Sequence, residues 1–175
     1  MSMNCDKDNS LQHEKLAAFI LEKEFGHGAK IGADSGKCMA VVLEHNPQLR
    51  FIGMDMWDGE HGVDFERECR ERCAPYKERV LLLKGDAATI AKGFASKIFD
   101  FAFYGYALDR KGELDYHEKV LKLWMHKIKS GGYLIGQELD KGDMKTVLAK
   151  LGYENIAPLE VLDNTHTGLH YIRLN

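Results

Sequence analysis

The 175-residue chain lacks several features that mark specialised classes of protein. No apolar run approaches the roughly 18 residues that a membrane-spanning helix needs. The N-terminal stretch MSMNCDKDNS is polar and has no apolar centre of the kind found in secretory signals. The net charge is −3 and there is no basic block, which disfavours nucleic acid as the main partner. We therefore expect a cytoplasmic protein with no membrane partner.

The cysteines do not have the spacing of a zinc site. The chain has Cys5, Cys38, Cys69 and Cys73, and the last two are four residues apart on a predicted helix with His61 upstream. A structural zinc site uses CxxC-type pairs and four ligands. We therefore interpret these residues as reduced cysteines, with Cys69 and Cys73 on one helix face.

What the chain does contain is the composition of an ordinary globular domain. Hydrophobic residues make up 45% of the sequence and charged residues 29%. The length is sufficient for one domain with a sizeable core. With no repeat or low-complexity stretch, we expect a single domain over residues 1–175, of which residues 1–9 form a flexible tail.

The most informative stretch covers residues 29–55, AKIGADSGKCMAVVLEHNPQLRFIGMD. A short apolar run stops at Gly32, and a loop containing Gly36 leads into a helical apolar pattern that ends at Asn46-Pro47. A second apolar run then ends at Asp55. The pattern predicts a right-handed βαβ unit, in which a ligand binds outside the carboxyl ends of the strands.

The loop in this unit is not a dinucleotide fingerprint. Its two glycines, Gly32 and Gly36, are spaced GxxxG, whereas that fingerprint is GxGxxG. The glycines alone are compatible with a simple tight turn as well as with a ligand-binding loop. Asp55 follows about twenty residues after the loop, which is the spacing of an acid that binds a ribose. This spacing favours a nucleoside ligand.

Apolar periodicity predicts the remaining elements. We predict helices over residues 11–25, 65–73, 87–93, 116–129 and 141–151, and strands over 80–83, 99–104 and 133–136. Gly131-Gly132 is predicted to cap the helix before it. Residues 156–162 and 169–174 flank the turn-rich DNTHTG and predict an antiparallel hairpin. The fold class is therefore α/β: a Rossmann-like, doubly wound, mostly parallel sheet with an antiparallel C-terminal hairpin strand, in three α/β/α layers.

Five motifs, in order, resemble those of class I S-adenosylmethionine-dependent methyltransferases. They are IGADSGK, FIGMDMWDG, LLLKGDAATIA, FDFAFYGYA and KIKSGGYLIGQE. The resemblance covers residues 29–175 and is nearest to the group called methyltransferase type 24. It implies S-adenosyl-L-methionine as cofactor and methyl transfer to the oxygen or nitrogen of a small-molecule acceptor. A homodimer is compatible with it.

The resemblance also implies a set of cofactor-binding residues at the strand ends: Gly32, Ala33, Asp34, Ser35, Gly36, Asp55, Met56, Trp57, Asp86, Ala87, Tyr104 and Gly105. The glycine loop would line the methionine end of the cofactor, and Asp55 would accept hydrogen bonds from the ribose. Met56 or Trp57 would pack near the adenine, and the residues at 86–87 would meet its edge. The residues at 104–105 would form the floor beneath the sulfonium.

Two departures from the family pattern bear on the chemistry. The acid that usually precedes the glycine loop is replaced by Lys30 or Ile31. The fourth strand of the group usually reads F-I-D-x-D-H, whereas the matching residues here read FYGYAL. We therefore predict no divalent metal, and the acids that could rebuild such a site are Asp109, Asp115 and Glu138.

These departures leave two other functions open. One is a non-catalytic cofactor-binding or regulatory module with a degenerate active site. The other is a nucleotide- or NAD-binding enzyme on a similar sheet, against which the missing GxGxxG argues.

Several side chains have two interpretations. His117 is the candidate general base, and the alternative is a solvated residue in the first turn of its helix. His61 is the second candidate base. Trp57 is either a loop anchor or an adenine-stacking surface, and Asp86 is either a cofactor ligand or a helix cap.

Overall fold

A seven-stranded sheet forms the centre of the molecule. In the computed structural model, which describes residues 10–105, 114–137, 139–159 and 168–175, the strands are β1 (His27–Ile31), β2 (Arg50–Asp55), β3 (Val80–Lys84), β4 (Phe99–Tyr104), β5 (Ile128–Gln137), β6 (Ala157–Pro158) and β7 (Leu169–Arg173). Their order is β3-β2-β1-β4-β5-β7-β6. Strands β1 to β5 are parallel, and β7 is antiparallel to β5 and β6. The predicted sheet with its antiparallel C-terminal strand is confirmed.

Helices cover both faces of this sheet. They are α1 (Ser10–Glu22), α2 (Lys37–His45), α3 (Gly62–Cys73), α4 (Ala87–Ala91), α5 (Leu114–Met125) and α6 (Gly142–Lys150). One core cluster joins α1, α2 and α3 to the sheet residues Phe51, Phe101 and Phe103. The other joins α4, α5 and α6 to the opposite face. The predicted three-layer arrangement is therefore confirmed.

Strand β4 shows why residues 101–104 of its sequence form a continuous apolar run. Phe101 and Phe103 are buried under α1 to α3, while Ala102 and Tyr104 are buried under α4 to α6. A parallel strand covered on both faces buries every side chain, so alternation of polar and apolar residues is lost. Fully burying one phenylalanine contributes about 1.5–3 kcal/mol, so this strand anchors both cores.

The prediction that Gly131-Gly132 caps a helix is wrong. Helix α5 ends at Met125, and β5 already begins at Ile128. The backbone N–H of Gly131 donates to Leu174 O at 2.6 Å, and Leu174 N–H donates to Gly132 O at 2.9 Å. The pairing between β4 and β5 shifts register between Phe99 and Phe101, so the two glycines lie in an irregular part of the sheet. Hydrogen bonds to Leu174, which is distant in the sequence, hold the two glycines in the sheet. A local sequence pattern does not show such bonds.

Two other predictions fall partly outside the described residues. Residues 1–9, the expected flexible tail, are not described, and neither are residues 160–167, which contain most of the predicted hairpin turn. The described parts of the hairpin pair as expected, with Ala157 opposite Tyr171 and Pro158 opposite His170.

Asp100 ties together the amino ends of β1 and β4. Its Oδ2 accepts from the backbone N–H groups of Gly26 and His27 at 2.9 and 2.8 Å. Its Oδ1 lies 2.6 Å from the ammonium of Lys129. Burial alone would raise the pKa of Asp100, but the bonds from Lys129 and the two backbone groups hold the pKa below its usual range. The ionised carboxylate therefore stabilises the sheet at neutral pH.

Replacing Asp100 with alanine leaves two backbone donors without their acceptor. We expect Asp100→Ala to lower the free energy of unfolding by about 2–4 kcal/mol at neutral pH. Because the folded pKa is depressed, this stabilisation is present above the unfolded pKa of about 3.9 and is lost as the pH falls through the folded value. Urea unfolding at about pH 7 and about pH 3 measures both effects.

The control is Glu154→Ala, which removes an exposed carboxylate outside the sheet. We expect it to change stability by less than about 0.5 kcal/mol. If the difference in free energy of unfolding between wild type and Asp100→Ala were as large at about pH 3 as at about pH 7, the role given to the carboxylate would be contradicted.

Candidate functional site

The strand order reverses between β1 and β4, and this reversal defines the candidate site. From β1 the chain moves outward through β2 and β3, then crosses back to place β4 on the other side of β1. In open α/β sheets, ligands bind outside the carboxyl ends of strands at such a point. The carboxyl ends of β1, β2, β3 and β4 and the residues directly after them carry every predicted cofactor-binding residue.

The glycine loop folds back over the end of β2. Gly32 N–H and Ala33 N–H both donate to Met54 O, at 3.0 and 2.9 Å. Gly36 has φ +79°, and a Cβ built on it would lie 2.8 Å from Cys69 Cα in α3. The loop therefore needs glycine at 36 for conformation and for contact with α3. Helix α2 begins directly after it with no side-chain cap, so its first N–H groups face this edge.

Asp55 connects the glycine loop to the segment that follows β2. Its Oδ2 accepts from Asp34 N–H at 2.9 Å, and its Oδ1 accepts from Trp57 N–H at 3.0 Å. An ionised carboxylate has about four acceptor positions, so Asp55 retains capacity for ligand hydroxyls. The sequence placed this acid at the mouth of the sheet but did not reveal its bonds to the loop.

Trp57 has the geometry of a loop anchor. Its Nε1 donates to Asp34 O at 3.0 Å, and the residue is only 4% exposed. Its ring packs in the cluster formed by α1 to α3. The neighbouring Met56 is 38% exposed and is the more accessible of the two. The contact with adenine stays a prediction for both residues.

Lys30 is a buried cation between β1 and β4. It is 5% exposed, its ammonium donates to Gly32 O, and Nζ lies 5.1 Å from the centre of the Phe103 ring. A Cβ built on Gly105 would lie 2.8 Å from Nζ. The lysine thus occupies the space that a side chain at position 105 would need. Ile31 packs in the core cluster on the other face of the sheet. Of the two residues that could replace the acid of the family, Lys30 is therefore the one next to Gly105.

His13 of α1 reports the electrostatics of this region. Burial, followed by the charges of Lys30 and Lys37, lowers the pKa of His13 to about 4. The imidazole is therefore neutral at physiological pH. No local signal in the sequence shows that α1 lies near these two lysines.

Asp86 caps helix α4. Its Oδ2 accepts from Thr89 N–H and Thr89 Oγ1, both at 2.7 Å, and its Oδ1 accepts from Tyr116 OH at 2.7 Å. Burial would raise the pKa of Asp86, but these hydrogen bonds hold the pKa below its usual range. The helix-cap interpretation therefore holds, and the neighbouring Ala87 is buried. Contact of these residues with adenine stays a prediction.

His117 lies in the core and not on the surface. It is 1% exposed, and its Nδ1 is hydrogen-bonded to the hydroxyl of Tyr104. The alternative of a solvated helix residue is wrong for that reason. Tyr104 and His117 lie on the side of β4 that packs against α4 to α6, whereas Lys30 and Phe103 lie on the other side. The structure thus separates the proposed base from the buried cation.

The other predicted acids and cysteines form no metal site in the described part of the chain. Across residues 10–105, 114–137, 139–159 and 168–175, no three His, Cys, Asp or Glu side chains are grouped to hold a metal. Asp115 is exposed in the first turn of α5, while Asp109 and Glu138 lie outside those residues. Cys69 and Cys73 are buried free thiols.

No helix in the same residues is long and apolar enough to cross a membrane.

No protein-family model matches the sequence, and no curated protein matches it either. Solved structures do share the fold. A candidate O-methyltransferase from Nostoc punctiforme superimposes with a TM-score of 0.71 at 13% identity, over 94% of this chain and 56% of that one. A candidate O-methyltransferase from Klebsiella pneumoniae gives a TM-score of 0.70 at 15% identity, over 99% of this chain and 83% of that one.

A third similar structure contains a bound nucleoside. It is the Podospora anserina methyltransferase PaMTH1 bound to S-adenosylhomocysteine, with a TM-score of 0.69 at 15% identity, over 94% of this chain and 78% of that one. These comparisons show that the chain has the Rossmann-like fold of class I S-adenosylmethionine-dependent methyltransferases. The chain is shorter than these proteins and spans only about half of the one from Nostoc.

The close contact between Gly36 and α3 yields a stability prediction. In Gly36→Ala, a residue with a side chain must adopt the left-handed backbone conformation of Gly36. Its Cβ also lies against the backbone of Cys69. We expect the free energy of unfolding to fall by about 1–3 kcal/mol. Gly59→Ala is the matched control, because a Cβ there would have no atom within 4 Å. Equal melting temperatures for the two variants would show that the loop tolerates a side chain at 36.

Proposed function

We propose that the protein is a cytoplasmic enzyme that transfers the methyl group of S-adenosyl-L-methionine to the oxygen or nitrogen of a small-molecule acceptor. The observation that carries this proposal is the bond of the Asp55 carboxylate to Asp34 N–H, which places an acid beside the glycine loop at the strand reversal. Support also comes from the similar structures named as methyltransferases, one of them with S-adenosylhomocysteine bound.

The proposed cofactor lies across the carboxyl ends of β1, β2 and β4. The loop at 32–36 and the first N–H groups of α2 would hold the methionine end, where unpaired N–H groups suit a carboxylate. Asp55 would accept from the ribose hydroxyls. Met56 and the residues at 86–87 would border the adenine, with Trp57 supporting the loop from below.

In the proposed reaction a lone pair of the acceptor attacks the methyl carbon as the bond from that carbon to sulfur breaks. Sulfur leaves as a neutral thioether, and the acceptor loses its proton to a base. Positioning alone can supply roughly 7–11 kcal/mol of the barrier. A general base adds about 10²–10⁴-fold.

We propose His117 as that base, acting through the hydroxyl of Tyr104 to which its Nδ1 is bonded. Both side chains of the pair are buried, and Tyr104 is the one that stands at the carboxyl end of β4. We also propose that the transfer needs no divalent cation, since glycine at 105 offers no ligand for one.

Lys30 favours a second candidate function. Its buried ammonium lies where the positively charged end of the cofactor is proposed to bind. A cation there opposes a sulfonium, and the fourth-strand acids of the family are missing. A non-catalytic module that binds the nucleoside and regulates a partner is consistent with both features.

Calorimetric titration with four ligands tests the proposal. We expect S-adenosylmethionine and S-adenosylhomocysteine to bind, and NAD and ATP not to bind. Binding of NAD or ATP alone would refute the proposed cofactor. A turnover assay offers the protein phenols, alcohols and amines as acceptors. Formation of S-adenosylhomocysteine from S-adenosylmethionine with any of them would exclude the non-catalytic alternative.

Asp55 provides the sharpest single-residue test of the cofactor site. Hydrogen bonds to a charged group contribute roughly 1.5–3 kcal/mol each. We therefore expect Asp55→Ala to weaken S-adenosylmethionine binding by about one to three orders of magnitude, at about 1.4 kcal/mol per tenfold. Asp55→Asn keeps one acceptor oxygen and should lose less. Calorimetry measures the affinities.

Asp55→Ala also removes the two bonds to the loop backbone, so we expect a lower melting temperature as well. Trp57→Phe separates the two effects, because it breaks only the bond from Nε1 to Asp34 O. It should reduce affinity far less than Asp55→Ala. Unchanged affinity in folded Asp55→Ala would remove the main support for a nucleoside ligand.

A further inference from the structure

Strand β3 forms one edge of the seven-stranded sheet, and its outer side has no neighbouring strand in the part of the chain that the structure describes. None of its five residues is buried, and Leu81 is 49% exposed. The strand reads VLLLK, so four apolar residues precede its only charge. An exposed apolar edge of this kind is a place where another strand can pair.

The opposite edge of the sheet is protected against such pairing, and β3 is not. Strand β6 has only two residues, and one of them is Pro158, which has no N–H to offer to another strand. Strand β3 is longer, contains no proline, and pairs with β2 in a continuous register without a bulge. The stretches that the structure does not describe adjoin α1, β4, α5, β5, β6 and β7 in the chain, and none of them adjoins β2 or β3.

The hydrogen bonds to β2 show which backbone groups of β3 face outward. The carbonyl of Arg79 accepts from a backbone N–H of β2 at 2.8 Å, and Gly85 N–H donates to a backbone carbonyl of β2 at 2.9 Å. Backbone groups of successive strand residues alternate in direction, so the odd-numbered residues of this strand face β2. The N–H and C=O groups of the even-numbered residues therefore face away from the sheet, and these residues are Val80, Leu82 and Lys84.

This pattern is self-complementary about Leu82. When two copies of β3 run antiparallel with Leu82 opposite its own equivalent, the two leucines exchange both N–H···O bonds. Val80 of each copy then lies opposite Lys84 of the other, and these pairs also exchange both bonds. Leu81 comes to lie beside Leu83 of the other copy, on the face where Leu83 packs against the core under α4 to α6. The pairing therefore covers the exposed leucine.

Charge also favours the antiparallel arrangement. Glu78 lies just before the strand and is exposed, while Lys84 at its end bonds Glu66 and has two further N–H donors. Antiparallel pairing brings Glu78 of one copy within diagonal cross-strand reach of Lys84 of the other. Asp86, which would lie opposite Glu78, is held by the hydrogen bonds of its helix cap. A parallel arrangement in register would instead place the two Lys84 side chains side by side.

We propose that β3 is the surface through which two copies of this chain associate, with their sheets joined by an antiparallel, two-fold pairing centred on Leu82. The inference goes beyond the proposed function and does not depend on it. In this pairing the carboxyl ends of the two β3 strands point in opposite directions. Both candidate sites therefore stay open, at opposite edges of the joined sheet.

Cysteine cross-linking of the full chain tests the register. In a hydrogen-bonded antiparallel pair the Cα atoms lie about 5.5 Å apart, which a disulfide can span. We expect Leu82→Cys to form a covalent dimer with oxidised glutathione as the oxidant, seen on a non-reducing gel and lost on reduction. Leu81→Cys is the matched control, because two copies of it lie diagonally at about 7–8 Å and should cross-link far less. Wild type accounts for the native cysteines.

Sedimentation equilibrium across a dilution series tests the association itself. We expect wild type to dimerise reversibly. Leu82→Pro removes two bonds of the pairing and none to β2, so it should raise the dissociation constant about tenfold or more. Leu81→Lys places a charge against the apolar residues of the other copy and should act in the same direction. Val63→Lys is the matched control, since Val63 is 75% exposed in α3, outside the strand.

Melting curves confirm that each variant folds, and the two variants of β3 support each other if one of them does not. A wild type that stays monomeric over the accessible concentration range would overturn the proposal, because this edge would then not bind a second copy. A dimer that both Leu81→Lys and Leu82→Pro leave intact would overturn it as well. Equally fast cross-linking through positions 81 and 82 would contradict the pairing centred on Leu82.

Discussion

The carboxylate of Asp55 holds the candidate site together. One oxygen binds the backbone of the glycine loop and the other binds the backbone after β2. These two segments follow different strands, so the shape of the site depends on this carboxylate. Trp57 adds a third bond across the same gap, from its indole to Asp34 O. The loop conformation is thus fixed by side chains from the next strand as well as by its own glycines.

The end of β4 separates two kinds of chemistry. On the face under α4 to α6, Tyr104 and His117 form a buried hydrogen-bonded pair. On the face under α1 to α3, Lys30 and Phe103 form a buried cation and ring pair. Because adjacent side chains of a strand point to opposite faces, Tyr104 and Phe103 contact His117 of α5 and Lys30 of β1 on opposite sides of β4. The buried histidine and the buried lysine therefore lie on opposite faces of the sheet at the same edge.

Features set by local sequence were predictable, and features set by distant partners were not. In the βαβ unit over residues 29–55, apolar runs and glycines mark the boundaries of strand, loop and helix. The structure has β1, α2 and β2 in this stretch, as predicted. The strand position of Gly131-Gly132 depends on bonds to Leu174, which no local pattern records. The sequence likewise pointed to Lys30 as a departure from the family, but not to its contact with Gly105 or its effect on His13.

Lys30 and Gly105 are best understood as one feature. The methyltransferase group that the sequence resembles carries an acid before the loop and another at the end of the fourth strand, whereas this chain carries a lysine and a glycine. A side chain at 105 would meet the ammonium of Lys30, and a shorter residue at 30 would leave a gap beneath Gly105. Each residue therefore accommodates the other sterically. The exchange reverses the charge at this end of the site, and it does so without disturbing the sheet order or the glycine loop that define the fold. Side chains at the strand ends can thus change while the architecture that positions them stays the same.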